Sequence, residues 1–176
     1  ASAGTATWTN TAAGGGAVGN FAGVGTQATG TLGGAGTNTV LFSGVDYYQS
    51  ALDAPAGLVG LNPTRTIEVW AYNPSLPGEE TLVSWGHRGG PNGSNMAFNF
   101  GNNPDFGAVG HWGGPDIGWG ATAPPANQWQ HLVYTYDGTT TRVYANGVLK
   151  NTEVLGAGVI NTHAGTEILI GAQWDN

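Results

Sequence analysis

Short apolar segments separated by turn residues run along most of this chain. Between residues 38 and 172 the segments are about five to seven residues long, and turn signals recur about every eight to twelve residues. No window shows a convincing helical period, so the pattern predicts an all-β domain built as a sandwich or a barrel. The predicted strands are 40–42, 66–72, 81–85, 96–100, 106–112, 130–136, 142–145, 148–152 and 167–170.

The clearest strands lie within residues 129–149. Two segments of alternating apolar and polar residues are separated by Asp137-Gly138, and Asn146-Gly147 follows within the second segment. Both dipeptides tolerate the positive φ of a tight turn, and Asn-Gly is the strongest short-range signal of a hairpin. The stretch therefore predicts antiparallel strands joined by tight turns.

Gly, Ala and Thr dominate residues 10–37. That composition is typical of a flexible linker, and this interpretation stays open. The apolar residues Trp8, Phe21, Val24 and Leu32 favour long ordered loops with an embedded short strand, anchored on a core. The chain is long enough for one domain. We predict a single domain over 1–176, with Gly/Thr-rich loops at 10–37 and a strand-rich core at 38–172.

Composition excludes several classes of function. Charged residues make up 9% of the chain, against about 25% in an average soluble domain. Four Lys and Arg residues and a net charge of -7 exclude the basic surface that nucleic-acid binding needs. The chain has no Cys, which excludes disulfides and thiolate metal sites. No stretch approaches the about 18 apolar residues of a membrane span, so we predict no membrane insertion.

The surface implied by this composition consists of Thr, Asn, Ser, Gly and backbone amides, which suits a secreted or cell-surface protein. The chain begins at Ala1 without an initiator Met, so we expect a processed or excised piece of a longer protein.

Several sequence blocks occur in the order found in bacterial laminin-G-like domains. The most specific is 129–138, which has the pattern W-x-H-x-x-x-T-Y-D-G, and the others are 42–48, 66–70, 82–85, 143–147 and 168–171. Over about 40–171 the chain resembles this family. The resemblance implies a concanavalin-A-like jelly roll, in which two antiparallel sheets form a sandwich. It also implies glycan binding, adhesion or an accessory role in a secreted protein, often with a structural calcium ion.

The chain departs from the family pattern at its C-terminus. Laminin-G-like domains usually continue after the strand that matches 168–171, whereas this chain stops at Asn176. We therefore expect a jelly roll that lacks its usual C-terminal closing strand. Its edge would expose unpaired backbone groups, so we expect strand-sharing with missing C-terminal residues or with another chain.

Two Gly-rich segments, 85–91 and 111–119, are the best candidates for ligand binding. Sugar rings present apolar C–H faces that stack on aromatic rings, while their hydroxyl groups need directional polar partners. The alternative is that the Trp residues fill a core that is short of Leu and Ile. The ligand-binding candidates are Arg88, His87, His111, Trp112, Asp116 and Trp119, with Asn92 and Asn95 as further hydrogen-bonding groups. We expect Trp70, Trp85, Trp129 and His131 to be packing residues, and Trp174 to lie at the surface.

The acidic residues do not predict catalysis. Glycosidases need two carboxylates about 5–10 Å apart, and retaining enzymes of the concanavalin-A-like fold resemble Glu-x-Asp-x-x-Glu. No such spacing occurs among the eleven acidic residues. Only Glu79 and Glu80 are neighbours, and adjacent strand residues point to opposite faces.

Calcium is the cation that the acidic composition and the resemblance favour, because it prefers carboxylate and carbonyl oxygens. Asp46 occupies the position that resembles the family's Phe-x-Gly-x-Asp turn, and Asp175 and Asn176 are candidates to complete a site there. Asp105 is a second candidate. The alternative for each residue is a turn-capping role.

The sequence favours a non-catalytic extracellular recognition or adhesion module, with a glycan or an extracellular protein as partner. One alternative is a structural subunit of an extracellular assembly, joined through an open sheet edge. The other is a glycosidase of concanavalin-A-like fold.

Overall fold

The computed structural model describes residues 6–12, 16–30 and 39–174. The described residues form fifteen β-strands and a single 3-10 turn at Ala56–Leu58. The strands are β1 Thr7–Trp8, β2 Phe21–Val24, β3 Ala28–Gly30, β4 Thr39–Leu41, β5 Tyr47–Asp53, β6 Gly60–Leu61, β7 Arg65–Tyr72, β8 Thr81–Gly86, β9 Asn95–Asn99, β10 Val109–Gly110, β11 Trp129–Tyr136, β12 Thr140–Ala145, β13 Val148–Val154, β14 Asn161–Thr162 and β15 Glu167–Ile170.

Two sheets account for most of these strands. The larger sheet has seven strands in the order β1-β2-β5-β15-β8-β9-β10, and the smaller has four in the order β13-β12-β11-β7. Two further pairs, β3 with β4 and β6 with β14, lie outside the main sheets. Every pairing is antiparallel.

The core lies between the two sheets. Strand β11 alternates between half-buried and buried residues along its whole length, as expected for a strand with one face on a core. A single cluster of buried apolar residues draws on both sheets, with Met96, Phe98 and Ile168 from the larger and Leu132 and Val143 from the smaller. The predicted all-β, two-sheet antiparallel sandwich is confirmed.

The hairpins of the smaller sheet follow the turn chemistry of the sequence. Asn146 and Gly147 have φ of 51° and 78°, the positive values that a two-residue turn between twisted strands requires. At the preceding turn the Asp137 carboxylate accepts hydrogen bonds from the backbone N–H groups of Thr139 and Thr140, at 3.1 and 2.9 Å. These turns set the antiparallel register of β11, β12 and β13.

The predicted strand 106–112 is much shorter in the structure, where only Val109–Gly110 is a strand. The Asn103 side chain accepts the N–H groups of Asp105 and Phe106 and so holds the chain in a turn. The backbone packs tightly here, since a Cβ at Gly107 would lie 2.5 Å from the Asn103 carbonyl oxygen.

The Gly/Thr-rich segment at 10–37 contributes strands β2 and β3 within its described residues.

Strand β15 is paired on both sides and lies in the middle of the larger sheet. Ile170 is opposite Tyr48 of β5 and Val83 of β8. Strand β15 itself therefore has no open edge. Strand-sharing at other sheet edges stays a prediction, and Asp175 and Asn176 lie outside the described residues.

Candidate ligand-binding cleft

A cleft of about 320 Å³ opens beside β9 and β10 of the larger sheet. Met96 and Phe98 of β9 belong to the core cluster, so Asn95, one residue earlier, lies on the opposite face of the sheet. We call this feature the Trp112 cleft. It is lined by Glu79, Arg88, Asn95, Phe106, Gly110, Trp112, Gly113, Asp116 and Gln173.

Trp112 has an unusual backbone conformation. Its φ is 77°, and the next residue, Gly113, has φ of 78°. Positive φ in a bulky residue is sterically unfavourable and occurs where surrounding structure enforces it. Here the Trp112 carbonyl accepts the N–H of Gly93 at 3.0 Å. The Arg88 guanidinium lies over the indole ring at 6.0 Å, within cation–π range.

Glu79 is held in place through both of its carboxylate oxygens. Its Oε2 pairs with Arg88 Nη1 at 3.2 Å, and its Oε1 accepts a hydrogen bond from Asn99 Nδ2 at 3.3 Å. Asn99 is itself bonded to the Phe106 carbonyl and to the Thr81 hydroxyl. The positive charge of Arg88 is thus balanced by a carboxylate that the surrounding loops fix.

Two buried oxygen acceptors among the cleft residues have no hydrogen-bond partner within the described part of the chain, Asn95 Oδ1 and Asp116 Oδ1. Asn95 is 2% exposed, and its Nδ2 donates to the Gly110 carbonyl at 3.1 Å, which fixes the side chain. A buried acceptor without a donor costs about 1–3 kcal/mol. Both oxygens belong to residues that line the cleft, although the two atoms themselves are buried.

Burial raises the pKa of Asp116 to about 6. Hydrogen bonds from the backbone of 111–113 act in the opposite direction, and the negative charge of Glu79 adds a smaller upward effect. A carboxylate that is partly desolvated and partly unsatisfied is common where a protein binds a ligand.

A chain of buried hydrogen bonds ties the cleft loop to the core. His111 lies fully buried, with Nδ1 2.8 Å from the Pro115 carbonyl oxygen and Nε2 2.8 Å from the Tyr134 hydroxyl. Because a carbonyl only accepts, Nδ1 carries the hydrogen, and Nε2 accepts from Tyr134. The Tyr134 oxygen in turn accepts from Arg65 Nε at 3.2 Å.

Burial keeps the His111 side chain uncharged. Burial lowers the pKa of His111 to about 3, and the positive charge of Arg65 acts in the same direction. The hydrogen bonds all point the same way, with Arg65 donating to Tyr134, Tyr134 to His111, and His111 to the Pro115 carbonyl. They hold in place the loop that carries Trp112 and Asp116.

Both a family model and a solved structure match this chain. The family model of the concanavalin A-like lectin/glucanases superfamily, Laminin_G_3, matches residues 42–176. The chain belongs to this superfamily. Among solved structures, one similar fold is domain 4 of AbnA, a GH43 extracellular arabinanase from Geobacillus stearothermophilus, in complex with arabinotriose. The TM-score is 0.52 at 23% identity, over 87% of this chain and 69% of that one. No curated protein matches the chain.

Of the six predicted ligand-binding residues, this superfamily member brings Arg88, Trp112 and Asp116 together in the cleft. The side chains of His111 and Trp119 are instead buried in the sandwich, and neither lines the cleft. The Trp119 Nε1 donates to the Gly107 carbonyl at 2.9 Å, and its ring contacts Phe98.

His87 lies outside the cleft lining and packs its ring against His163 at 5.0 Å. Asn95 lines the cleft, whereas Asn92 is exposed beside Gly113. Sequence reasoning missed Glu79 and Gln173. Glu79 lies two residues before β8, and the pairing of Thr81 with Asn99 brings this end of the strand to the cleft.

Trp70 is exposed, contrary to its predicted packing role. Its side chain is 64% accessible, on the solvent face of the smaller sheet. The ring lies 5.1 Å from that of His131, whose Nε2 is 2.8 Å from Glu68 Oε1. Trp85 is buried, Trp129 is half-buried against Tyr72, and Trp174 is half-buried with its indole N–H bonded to the Glu167 carbonyl.

The calcium sites predicted for this domain stay predictions. The buried Asp46 carboxylate accepts the backbone N–H of Ser43 at 2.8 Å and also its hydroxyl. Asp105 is exposed in the turn that Asn103 stabilises. Among the described residues, no three His, Asp or Glu side chains lie close enough to hold a metal ion together.

The part of the chain that the structure describes contains no helix with the length and apolar character needed to cross a membrane.

Proposed function

We propose that this domain is a non-catalytic carbohydrate-binding module of an extracellular protein, and that it binds a sugar in the Trp112 cleft. The observation that carries the proposal is that Trp112 lines one cleft together with the polar side chains of Arg88, Asn95 and Asp116. Sugars combine an apolar face with several O–H donors, so one ligand satisfies both features.

The binding mode follows from the lining residues. The Arg88 guanidinium lies over one face of the Trp112 indole, and we place the sugar ring on the other face. Hydroxyl groups of the sugar then form hydrogen bonds with polar side chains of the lining, Asp116 among them, while Gly110 and Gly113 leave room for close approach. The chain's low content of charged residues suits recognition through hydrogen bonds and stacking.

Two features support binding without hydrolysis. The sequence has no Glu-x-Asp-x-x-Glu spacing, and Glu79 has protein partners for both oxygens. A hydrolase of this fold needs two carboxylates positioned across the scissile bond. Release of reducing ends from an oligosaccharide that the domain binds would count against the non-catalytic proposal.

The comparison supplies the first ligand to test. The similar domain of an extracellular arabinanase was solved with arabinotriose. Its low identity supports the fold alone, so arabinotriose is a starting probe within a wider glycan array. The extracellular location proposed for this chain rests on the same comparison and on its composition.

The Trp112→Ala variant tests the proposed site. We expect at least a tenfold loss of affinity for the bound glycan by isothermal titration calorimetry, because a buried aromatic anchor contributes about 2 kcal/mol or more at a binding site. Trp70→Ala is the matched control, since it also removes an indole side chain but lies on the smaller sheet, outside the cleft lining.

Trp70→Ala is expected to retain wild-type affinity. Equal affinity of Trp112→Ala and wild type, or a larger loss in Trp70→Ala, would remove the Trp112 cleft as the binding site. A glycan array without any bound sugar would refute carbohydrate binding itself.

A further inference from the structure

Arg65, the first residue of β7, is a buried cation that does not line the Trp112 cleft. Its guanidinium lies 5.9 Å and 5.8 Å from the ring centroids of Tyr134 and Tyr136. Within the described residues no carboxylate pairs with it, and two of its hydrogen bonds go to the hydroxyl groups of Tyr134 and Thr162. Because the donor is charged, these bonds are stronger than bonds between neutral groups.

We propose that Arg65 is a positioning residue for sugar binding, because two chains of hydrogen bonds lead from its guanidinium to the loop that carries Trp112. The inference rests on the proposed carbohydrate-binding function. Arg65 acts through these bonds, without touching the sugar, by holding the Trp112 loop in its binding conformation. A loop that is already ordered loses less freedom when a ligand binds, so its affinity is higher.

The first chain passes through β11. Arg65 Nε donates to the Tyr134 hydroxyl at 3.2 Å, and Tyr134 donates to His111 Nε2 at 2.8 Å. His111 Nδ1 then donates to the Pro115 carbonyl at 2.8 Å. His111 and Pro115 lie on either side of Trp112 in the sequence, so this chain holds both ends of the loop. Hydrogen bonds in a buried chain polarise and strengthen one another.

The second chain passes through β14 and reaches Trp112 itself. Arg65 Nη1 donates to the Thr162 hydroxyl at 2.8 Å. The backbone N–H of Asn161, the other residue of β14, donates to the Gly93 carbonyl at 3.1 Å. The N–H of Gly93 donates in turn to the Trp112 carbonyl at 3.0 Å. Trp112 has a sterically unfavourable φ of 77°, and contacts of this kind are what keep such a conformation in place.

Each chain can be cut by removing a single hydroxyl group. Tyr134→Phe removes the link between Arg65 and His111 and keeps the aromatic ring beside the guanidinium. Thr162→Val removes the acceptor of the second chain with little change in side-chain shape. Should Tyr134→Phe fail to fold, Thr162→Val tests the same guanidinium through the other chain.

Tyr136→Phe is the matched control. Tyr136 is 2% exposed and lies on the same face of β11 as Tyr134, two residues further along. Its hydroxyl donates at 2.8 Å to the carbonyl of Gly138, in the turn that follows this strand, and is bonded to neither His111 nor Thr162. The control therefore loses a buried hydroxyl group next to the same guanidinium and leaves both chains intact.

The first measurement is amide hydrogen exchange by NMR, without any sugar. The probe is the Gly93 N–H, because movement of the Trp112 loop breaks its hydrogen bond. The reference is the Leu132 N–H, since β11 is paired on both sides and opens only when the smaller sheet does. We expect Tyr134→Phe and Thr162→Val to raise the exchange rate of Gly93 relative to Leu132 about fivefold. Tyr136→Phe is expected to leave this ratio within about twofold of wild type.

The second measurement is the dissociation constant for a glycan, by titration calorimetry. The probe is arabinotriose, or the glycan that wild type binds most tightly in the array if arabinotriose does not bind. We expect Tyr134→Phe to weaken binding about fivefold and Thr162→Val to weaken it in the same direction. Tyr136→Phe is expected to bind within about twofold of wild type.

The outcomes separate the two proposals. If Tyr134→Phe and Tyr136→Phe agree in Gly93 exchange and in affinity while wild type binds sugar, the positioning role is overturned and the binding function stands. Faster Gly93 exchange in Tyr134→Phe with unchanged affinity also overturns it, since a looser loop then has no effect on binding. If wild type binds no sugar, the proposed function is refuted and the positioning role in sugar binding with it.

Discussion

Replacing Trp119 with Ala is expected to lower the free energy of unfolding by about 3–5 kcal/mol, the usual cost of removing a large aromatic ring from a core. Trp119 is 2% exposed, and its ring centroid lies 6.1 Å from that of Phe98. The variant also leaves the Gly107 carbonyl without the indole donor that now lies 2.9 Å away. Urea denaturation followed by circular dichroism measures the change.

Trp112→Ala is the control for this prediction, because it removes a half-buried indole from the same loop region. We expect its stability to stay within about 1.5 kcal/mol of wild type. If Trp119→Ala were nearly as stable as wild type but failed to bind sugar, Trp119 would be a ligand platform after all, and its buried role would be wrong.

Replacing Asp116 with Asn is expected to change how stability responds to acid. The pKa of Asp116 is raised to about 6 in the folded protein, above the 3.8 of the unfolded chain. The folded state therefore binds this proton more tightly, and Asp116 adds about 1.4 kcal/mol per pH unit as the pH falls from 6 to 3.8. Asn cannot supply this gain.

His111 changes the pH dependence of folding stability in the opposite direction. Its pKa is lowered from 6.5 to about 3 on folding, so the unfolded state binds the proton first and stability falls as the pH drops through that range. In wild type the two effects oppose each other between pH 6 and 3.8. Without Asp116 the His111 loss is uncompensated.

The expected result is that Asp116→Asn loses about 2–3 kcal/mol more stability than wild type between pH 7 and pH 4. Urea denaturation at pH 7, 5.5 and 4 checks this, with His163→Asn as a control that replaces an exposed histidine. Parallel stability curves for wild type and Asp116→Asn would contradict the raised pKa of this carboxyl group.

The local chemistry of turns made much of the fold predictable. Asn146-Gly147 and Asp137-Gly138 set the register of three strands, and the structure uses both turns as expected. Strand positions 167–170 agree with the sequence pattern in full. What the pattern could not give was the position of β15 between β5 and β8, because pairing partners far apart in sequence leave no local signal.

The candidate site was predictable only in part, and for a different reason. Trp112 and Trp119 occur in similar Gly-rich surroundings, yet one lines the cleft and the other fills the core. The difference depends on the positive φ of Trp112 and on packing against β9, neither of which the sequence shows directly. The role of Glu79 has no local sequence signal, because it depends on partners 9 and 20 residues away, Arg88 and Asn99.

The central position of β15 has a consequence for how this protein folds. Strands β5 and β8 do not pair with each other, so β15 alone joins the two halves of the seven-stranded sheet. It follows 166 residues of this chain, and a ribosome makes those residues first. Until β15 arrives, both halves have an unpaired edge that is open to wrong partners. Closure of the sheet is therefore a late event that joins residues far apart in sequence. Until it occurs, the chain must remain soluble although it has few charged residues and many glycines.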